Sequence, residues 1–213
     1  TGAFMSAGDN PKDLHFSPEE VRVAVEEAAR HGVPVMAHAH GTEGIKVAIR
    51  AGVRSIEHGT FLDDEAIRLL VEHGTYLVPT VWIGDYYIQK GSPSGMQDKM
   101  VELSKKYRAE HCSWVKKAVA AGVKIGVGSD FGGYAFENNW RELESLVDCG
   151  MTPMQAILAA TRVNAELLGW EKKIGTIEVG KDADLLIVEG NPAEDLSALG
   201  RMKLVVVGGR VVE

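Results

Sequence analysis

The chain has 213 residues, of which 45% are hydrophobic and 25% are charged, and 23 basic against 30 acidic residues give a formal charge of -7. These proportions are typical of a soluble globular protein, and no apolar run approaches the roughly 18–20 residues that a bilayer span needs. Because the charges are interspersed, a continuous basic groove for nucleic acid is excluded. The two cysteines, Cys112 and Cys149, are too few for a disulfide scaffold, so we expect a reducing, cytoplasmic setting.

One pattern recurs four times in the first two thirds of the chain: an amphipathic helix, a glycine, and a short run rich in Val and Ile. The first helix is predicted to begin after Ser17, because Ser17-Pro18-Glu19-Glu20 joins an N-cap serine, a first-turn proline and a capping-box glutamate. The next three helices are predicted to begin near Thr42, at Asp63 or Asp64, and near Asp98. The glycines that end the four helices are Gly32, Gly52, Gly74 and Gly122, and the strands predicted after them are 33–37, 53–57, 75–79 and 123–128.

Strands that alternate with helices at this interval indicate βαβ units and a parallel sheet. The third strand is followed by an extra segment, Val81 to Gln97, which we predict to be a loop. Its aromatic residues Trp82, Tyr86 and Tyr87 are interpreted either as loop packing or as a lid over substrate.

Polar side chains recur at fixed distances after the helix-ending glycines. The carboxyl ends of parallel strands meet at one edge, where barrels and open sheets place their active sites, and positions of equal parity face the same side. Six residues after each glycine come His38, His58, Thr80 and Gly128, and eight residues after come His40, Thr60, Trp82 and Asp130.

Imidazole nitrogens and a carboxylate are the ligands that zinc and related divalent ions prefer. A single histidine at a strand end is more often a satisfied polar residue than a ligand, but three strands that converge at one register favour a metal site. The histidines that do not share this placement are set aside, namely His15, His31, His73 and His111.

At these residues the sequence resembles the amidohydrolase superfamily of metal-dependent hydrolases. The resemblance rests on His38-Ala39-His40-Gly41, Ile56-Glu57-His58-Gly59 and Gly128-Ser129-Asp130, together with the downstream segments 161–169 and 175–185. The imidazolonepropionase-like branch, which includes Xaa-Pro dipeptidases (prolidases), is the most similar, and Thr1-Gly2 and residues 6–9 resemble its loop after strand 4.

The resemblance implies an α/β fold, namely the second half of a (β/α)8 TIM barrel, strands 5–8, in residues 1–172. Residues 173–213 would then be the C-terminal strands of a small β-sandwich domain, with strands expected at 184–188 and 204–207. The strand-1 His-x-His motif and the strand-4 lysine of the family are absent from this sequence. A missing N-terminal segment is therefore expected to supply the remaining ligands.

The resemblance also implies roles for individual residues. His38 and His58 would ligate one metal of a binuclear centre, with zinc the expected ion, and Asp130 would ligate the other. Asp130 would also take the proton from a metal-activated hydroxide and pass it to the leaving amine. His40 would contact substrate or support the ligands, and same-side geometry leaves open whether His38 or His40 is the ligand. Tyr86 and Tyr87 are the other candidate substrate contacts.

The leading hypothesis is a hydrolase that cleaves an amide bond of a dipeptide or an N-acyl amino acid. One alternative is a cyclic amidohydrolase or deaminase, and another is a non-catalytic fragment that needs its N-terminal half. The expected partner is a small-molecule or dipeptide substrate, without nucleic acid or membrane, and homo-oligomerisation is left open.

Overall fold

The computed structural model describes residues 1–2, 10–91, 97–131 and 136–212 and has a mixed α/β fold with one parallel and one antiparallel sheet. Residues 6–9, which resemble the loop after strand 4 of the family, lie outside the described residues. The helices are Pro18–Arg30 (α1), Thr42–Ala51 (α2), Asp64–His73 (α3), Val81–Lys90 (α4), Gln97–Ala120 (α5), Arg141–Asp148 (α6), Pro153–Leu158 (α7) and Asn164–Leu168 (α8). The strands are Met36–Ala39 (β1), Ser55–His58 (β2), Tyr76–Val78 (β3), Leu185–Val188 (β4), Met202–Val207 (β5) and Arg210–Val211 (β6).

The predicted helix boundaries are confirmed where capping residues mark them. Ser17 accepts from the backbone N–H of Glu20, whose carboxylate accepts from the Ser17 N–H, so the predicted capping box is formed. Asp63 caps α3 through the backbone N–H of Ala66. Gly52 and the glycine after α3 have left-handed backbones, a conformation that glycine adopts without a Cβ clash.

The parallel sheet has the order β1-β2-β3, and its register pairs His38 with Glu57 and Ala39 with His58. The fourth predicted strand, 123–128, is present only as a single parallel bridge between Leu77 and Ile125. The prediction of a regular strand there was too long. Asn164 contributes to this, because its side-chain amide pairs with both the N–H and the C=O of Val127, each at 2.9 Å, in place of a neighbouring strand.

The segment predicted to be a loop is largely a helix. Helix α4 begins directly after Thr80, and its first two backbone N–H groups donate to the buried carboxylate of Glu142 at 2.9 and 2.6 Å. This carboxylate comes from α6, about 60 residues further along the chain. Local sequence patterns cannot reveal such a distant cap, which explains the wrong prediction.

One face of the parallel sheet packs against the surrounding helices. Ala39, Ile56 and Leu77 on this face are completely buried, and they join Ile125 and residues of α2 and α3 in one core. The opposite face carries Met36, His38, Ser55, Glu57 and Tyr76, by the alternation of side chains along the paired strands.

The C-terminal segment forms an antiparallel sheet of order β4-β5-β6, so the two strand predictions there are confirmed and a third, short strand is added. Within the described residues, no helix is both long enough and apolar enough to cross a membrane.

The two cysteines are joined by a disulfide, Cys112–Cys149, which links α5 to the end of α6. The sequence analysis assigned no bridge to them. Disulfides persist mainly in oxidising compartments, so this bridge does not support the expectation of a reducing cytoplasm, which was based on the number of cysteines.

Candidate metal centre

Three histidines meet at the carboxyl end of the parallel sheet. His38 lies on β1, His40 follows that strand, and His58 is the last residue of β2. Counting from the glycines treated His38 and His58 as equivalent positions, but the register is offset by one residue, since His58 pairs with Ala39. In a regular strand the side chain of residue 58 would therefore face the helices rather than His38.

An unusual backbone conformation brings His58 back to the site. Three non-glycine residues have a positive φ in the part of the chain that the structure describes. They are His58, Thr80 and Asp130, with φ angles of 74°, 53° and 56°. His58 ends β2, Thr80 follows β3, and Asp130 follows the segment that is bridged to β3 through Ile125. Such conformations cost about 1–3 kcal/mol per residue and concentrate at functional sites, where the surrounding structure enforces them.

The histidine rings are packed tightly together. One ligand nitrogen from each of His38, His40 and His58 lies within 4.8 Å of the others, and His58 Nε2 is 2.9 Å from His38 Nδ1. His40 stacks on His58 with 4.5 Å between ring centroids and 17° between planes. His40 Nδ1 also contacts the hydroxyl of Thr60 at 2.8 Å, which fixes the ring.

The hydrogen bonds around this pair fit a metal ion. His38 Nε2 must donate to the carbonyl of Gly2, 2.8 Å away, so the neutral ring presents a lone pair at Nδ1. The Thr80 hydroxyl donates to the carbonyl of Pro79 and can then accept from His58 Nδ1, 2.6 Å away, which leaves a second lone pair at His58 Nε2. In this arrangement two lone pairs face one point, as two ligands of one cation do.

The same network can be satisfied without a cation if the Thr80 hydroxyl donates to His58 Nδ1 and His58 Nε2–H donates to His38 Nδ1. The two arrangements differ in the rotation of the Thr80 hydroxyl and in the tautomer of His58, whose N–H is on Nδ1 in the first and on Nε2 in the second, and the net charge of the cluster is the same in both. Zinc would separate two ligating nitrogens by only slightly more than the observed distance, since Zn–N bonds are about 2.0–2.1 Å.

Burial keeps these rings neutral, which metal binding requires. Desolvation lowers the pKa of His58 to about 3, with further lowering by the neighbouring His38 and His111. The pKa of His40 is also strongly lowered by desolvation and by His58, and that of His38 is lowered mainly by desolvation. A charged imidazolium in this cluster is thus disfavoured, and a metal ion would be held by neutral ligands.

Asp130 lines the same cavity as the histidines but does not belong to their tight cluster. The pKa of Asp130 is raised, because the effect of partial burial exceeds the lowering by the nearby His38. The structure thus groups His40 with His38 and His58 and leaves Asp130 at the cavity wall.

Two buried groups of the site were missed by the sequence analysis. His111, which had been set aside, lies on α5 and donates through Nε2 to the backbone carbonyl of His58 at 3.0 Å. The fully buried Glu142 holds the first turn of α4, directly after Thr80. Both groups fix backbone next to strained strand ends. The position of His111 on the buried side of α5 was a usable signal, because Met100, Leu103, Tyr107, His111, Val115 and Ala118 recur at helical spacing.

The histidine cluster opens into a cavity with a volume of about 160 Å³. His40 and Tyr87, two of the predicted substrate contacts, line this cavity. Tyr86, the third, is not among its lining residues. Its ring instead packs edge-on against Phe131, the neighbour of Asp130, with centroids 5.2 Å apart.

Comparison with known proteins places these residues in a family. A model of the amidohydrolase family matches residues 1–212. The ochratoxinase of Aspergillus niger is 37% identical over 210 residues, covering 96% of this chain and 42% of that protein. The imidazolonepropionase of Symbiobacterium thermophilum is 28% identical, with 81% of this chain and 37% of that protein covered.

Among solved structures, a Xaa-Pro dipeptidase with bound methionine in its active site superimposes with a TM-score of 0.87 and 42% identity. The match covers 95% of this chain and 50% of that one, so the chain spans about half the length of the relatives that it matches. The fold, the motifs at the strand ends and the family match agree, and the chain belongs to the amidohydrolase family.

Proposed function

We propose that this chain carries half of the active site of a metal-dependent hydrolase that cleaves the amide bond of a dipeptide or an N-acyl amino acid. The observation that carries the proposal is the cluster of His38, His40 and His58, with ligand nitrogens within 4.8 Å of one another at the end of a parallel sheet. The similarity to a Xaa-Pro dipeptidase and to ochratoxinase supports hydrolysis of a C–N bond.

His38 Nδ1 and His58 Nε2 are the proposed ligands for one divalent ion, with zinc as the expected metal, and the complete centre is proposed to be binuclear. Their facing lone pairs and lowered pKa values support this assignment. A bound metal would supply an activated water and polarise the substrate carbonyl. His40, fixed by Thr60 and stacked on His58, is proposed to support this ligand and to contact the substrate.

Asp130 is proposed to ligate the second metal and to move the proton. It would accept a proton from the attacking water as the C–O bond forms and then deliver it to the amine nitrogen as the C–N bond breaks. Its place on the cavity wall with the three histidines supports this role, because a carboxylate there can reach a water bound at the same site.

The remaining ligands are proposed to come from a preceding segment that completes a TIM barrel. The backbone of Thr1 supports this, because its N–H donates to the carbonyl of His38 and its carbonyl accepts from the N–H of His40 at 3.1 Å. This is the hydrogen-bond pattern of a parallel strand neighbour of β1. We accordingly propose residues 1–172 as the second half of the barrel and 173–213 as strands of a small β-sandwich domain.

The test is metal content and turnover in the complete protein that contains this chain. We expect metal to co-purify, and Xaa-Pro dipeptides or N-acyl amino acids to be hydrolysed in a panel that also holds Xaa-Arg dipeptides and an imidazolone. His58→Ala should lower both metal content and turnover, whereas His73→Ala, a histidine outside the cluster, should change neither.

Different results would select the other hypotheses. Turnover confined to the cyclic substrate would reject the dipeptidase assignment in favour of a cyclic amidohydrolase or deaminase. Absence of both metal and turnover in the complete protein would reject an enzymatic function and would favour a structural role for this chain.

A further inference from the structure

The cavity above the histidines has two ends of different chemistry. One end is formed by His38, His40, His58 and Asp130, which are the groups of the proposed reaction centre. The other end lies between α4 and α5, two helices that follow β3 in the chain. Because both ends belong to one cavity, a substrate whose amide bond lies at the first end can place a side group at the second.

The wall between α4 and α5 is apolar. The side chains that line it include an isoleucine and a tyrosine from α4 and a methionine, a leucine and a second tyrosine from α5: Ile83, Tyr87, Met100, Leu103 and Tyr107. The ring of Tyr107 is held edge-on against Phe61, with centroids 4.7 Å apart. This wall is thus a large, pre-formed hydrophobic surface, of the type that binds apolar groups of small ligands.

The charged groups of this wall are neutralised within the protein. Among the described residues that line the cavity, Arg108 is the one basic side chain of the lysine or arginine type. Its guanidinium is bidentate to Asp85, at 2.6 and 3.0 Å, and the Asp85 carboxylate also accepts from Ser145 at 2.9 Å. A carboxylate on a substrate would have to compete with this pair and would lose its hydration on entry.

We propose that the α4–α5 wall is the specificity subsite for a bulky, uncharged apolar or aryl group on one side of the scissile amide. The inference rests on the proposed function, because it takes the histidine end of the cavity as the reaction centre. It narrows the substrate class from dipeptides and N-acyl amino acids in general to those that carry such a group.

Gly84 provides a way to fill the subsite without touching the reaction centre. This glycine lies within α4 and lines the cavity, and a Cβ added there would meet only Ser104, at ordinary contact distances of 3.8 Å or more. Gly84→Ala is therefore a matched control, and Gly84→Leu would extend a side chain into the cavity. Both changes raise helix propensity, so the helix should be retained.

The experiment uses two substrate series. The first varies the acyl group of acyl-L-proline, which is acetyl, 3-phenylpropanoyl or succinyl. The second varies the amino acid of an acetyl amino acid, which is alanine, phenylalanine or aspartate. In one of the two series we expect kcat/KM for the aryl substrate to exceed that of the smallest by about 10- to 100-fold. The acidic substrate should be the poorest of that series. Gly84→Leu should abolish the aryl preference by lowering kcat/KM for the aryl substrate more than for the smallest substrate, and Gly84→Ala should keep the preference.

Leu103→Lys tests the same subsite with a charge. It should raise kcat/KM for the acidic substrate and lower it for the aryl substrate. Equal rates for aryl, small and acidic groups in both series, or an aryl preference that Gly84→Leu leaves intact, would overturn the proposal.

Equilibrium binding separates this proposal from the proposed function. Calorimetry without any turnover uses 3-phenylpropanoate, acetate and succinate for the acyl side, and phenylalanine, alanine and aspartate for the amine side. Tight binding of the aryl ligand of either set that Gly84→Leu removes would support the subsite even if no amide were hydrolysed. Hydrolysis of amides together with equal binding within both ligand sets would leave the proposed function standing and reject the subsite.

Discussion

Replacing His111 with leucine is the sharpest test of how the site is held. The substitution places an apolar side chain of similar size in α5 and removes the donor to the His58 carbonyl, which is 3.0 Å away. An unsatisfied buried acceptor costs about 1–3 kcal/mol, and the left-handed backbone of His58, with φ of 74°, stores a similar amount. A regular strand conformation at residue 58 would relieve both and would turn the imidazole toward the helices.

We therefore expect His111→Leu to weaken metal binding by about 10- to 100-fold, the usual effect of removing a partner of a ligand. The assay is a titration of the complete, metal-free protein with Co²⁺, followed by its visible absorption, with Zn²⁺ in competition. This readout does not depend on turnover.

Two variants control the test. His111→Gln places an amide N–H near the position of Nε2 and should restore binding, because the hydrogen bond and not the ring is required. His73→Leu, at the end of α3, should bind metal as the unsubstituted protein does. If His111→Leu kept its fold by circular dichroism and also kept its metal affinity, the assigned role of His111 would be wrong.

Three further predictions concern the proton carrier, a buried acid and the disulfide. Asp130→Asn is expected to abolish amide hydrolysis in the complete protein without changing its circular dichroism, because an amide cannot accept the proton, and substantial remaining turnover would assign that step to another group. Burial raises the pKa of Glu142 from 4.5 to about 8, so the folded state binds more protons between these values and the free energy of unfolding should fall as the pH rises through this window. Urea unfolding at several pH values should show a weaker fall for Glu142→Gln, and an equal fall in both proteins would contradict the assignment. Reduction of Cys112–Cys149, which closes a loop with a sequence separation of 37, should lower the free energy of unfolding by up to about 4 kcal/mol in urea titrations. A double serine variant should not respond to reductant. If reductant did not shift the unfolding curve of the unsubstituted protein, the bridge would contribute little to stability.

The local structure was predictable where a residue type has a direct effect on the backbone. Ser17 and Asp63 accept hydrogen bonds from the first turn of a helix, and Gly52 adopts a left-handed conformation at a helix end. Such effects act over a few residues and are visible in one sequence. Helix α4 was missed because Glu142, which holds its first turn, lies about 60 residues away in the chain.

The proximity of the three histidines was predictable from the sequence, but their geometry was predictable only in part. Counting from glycines brought His38 and His58 together, but the sheet offsets them by one residue, and the positive φ at His58 makes up the difference. Neither register nor a left-handed histidine can be deduced from residue types. His111 was set aside because it does not follow a strand, although its place in the buried stripe of α5 indicated that its side chain points inward.

The three left-handed residues at the strand ends also bear on attempts to make this protein more thermostable. Glycine would adopt the backbone of His58, Thr80 or Asp130 with less strain, so a screen for melting temperature alone should favour replacements at these positions. Each such gain would remove a proposed metal ligand, the hydroxyl that contacts it, or the proposed proton carrier. Stability libraries for this chain should therefore hold these positions fixed and seek their improvements among the surface residues of the helices.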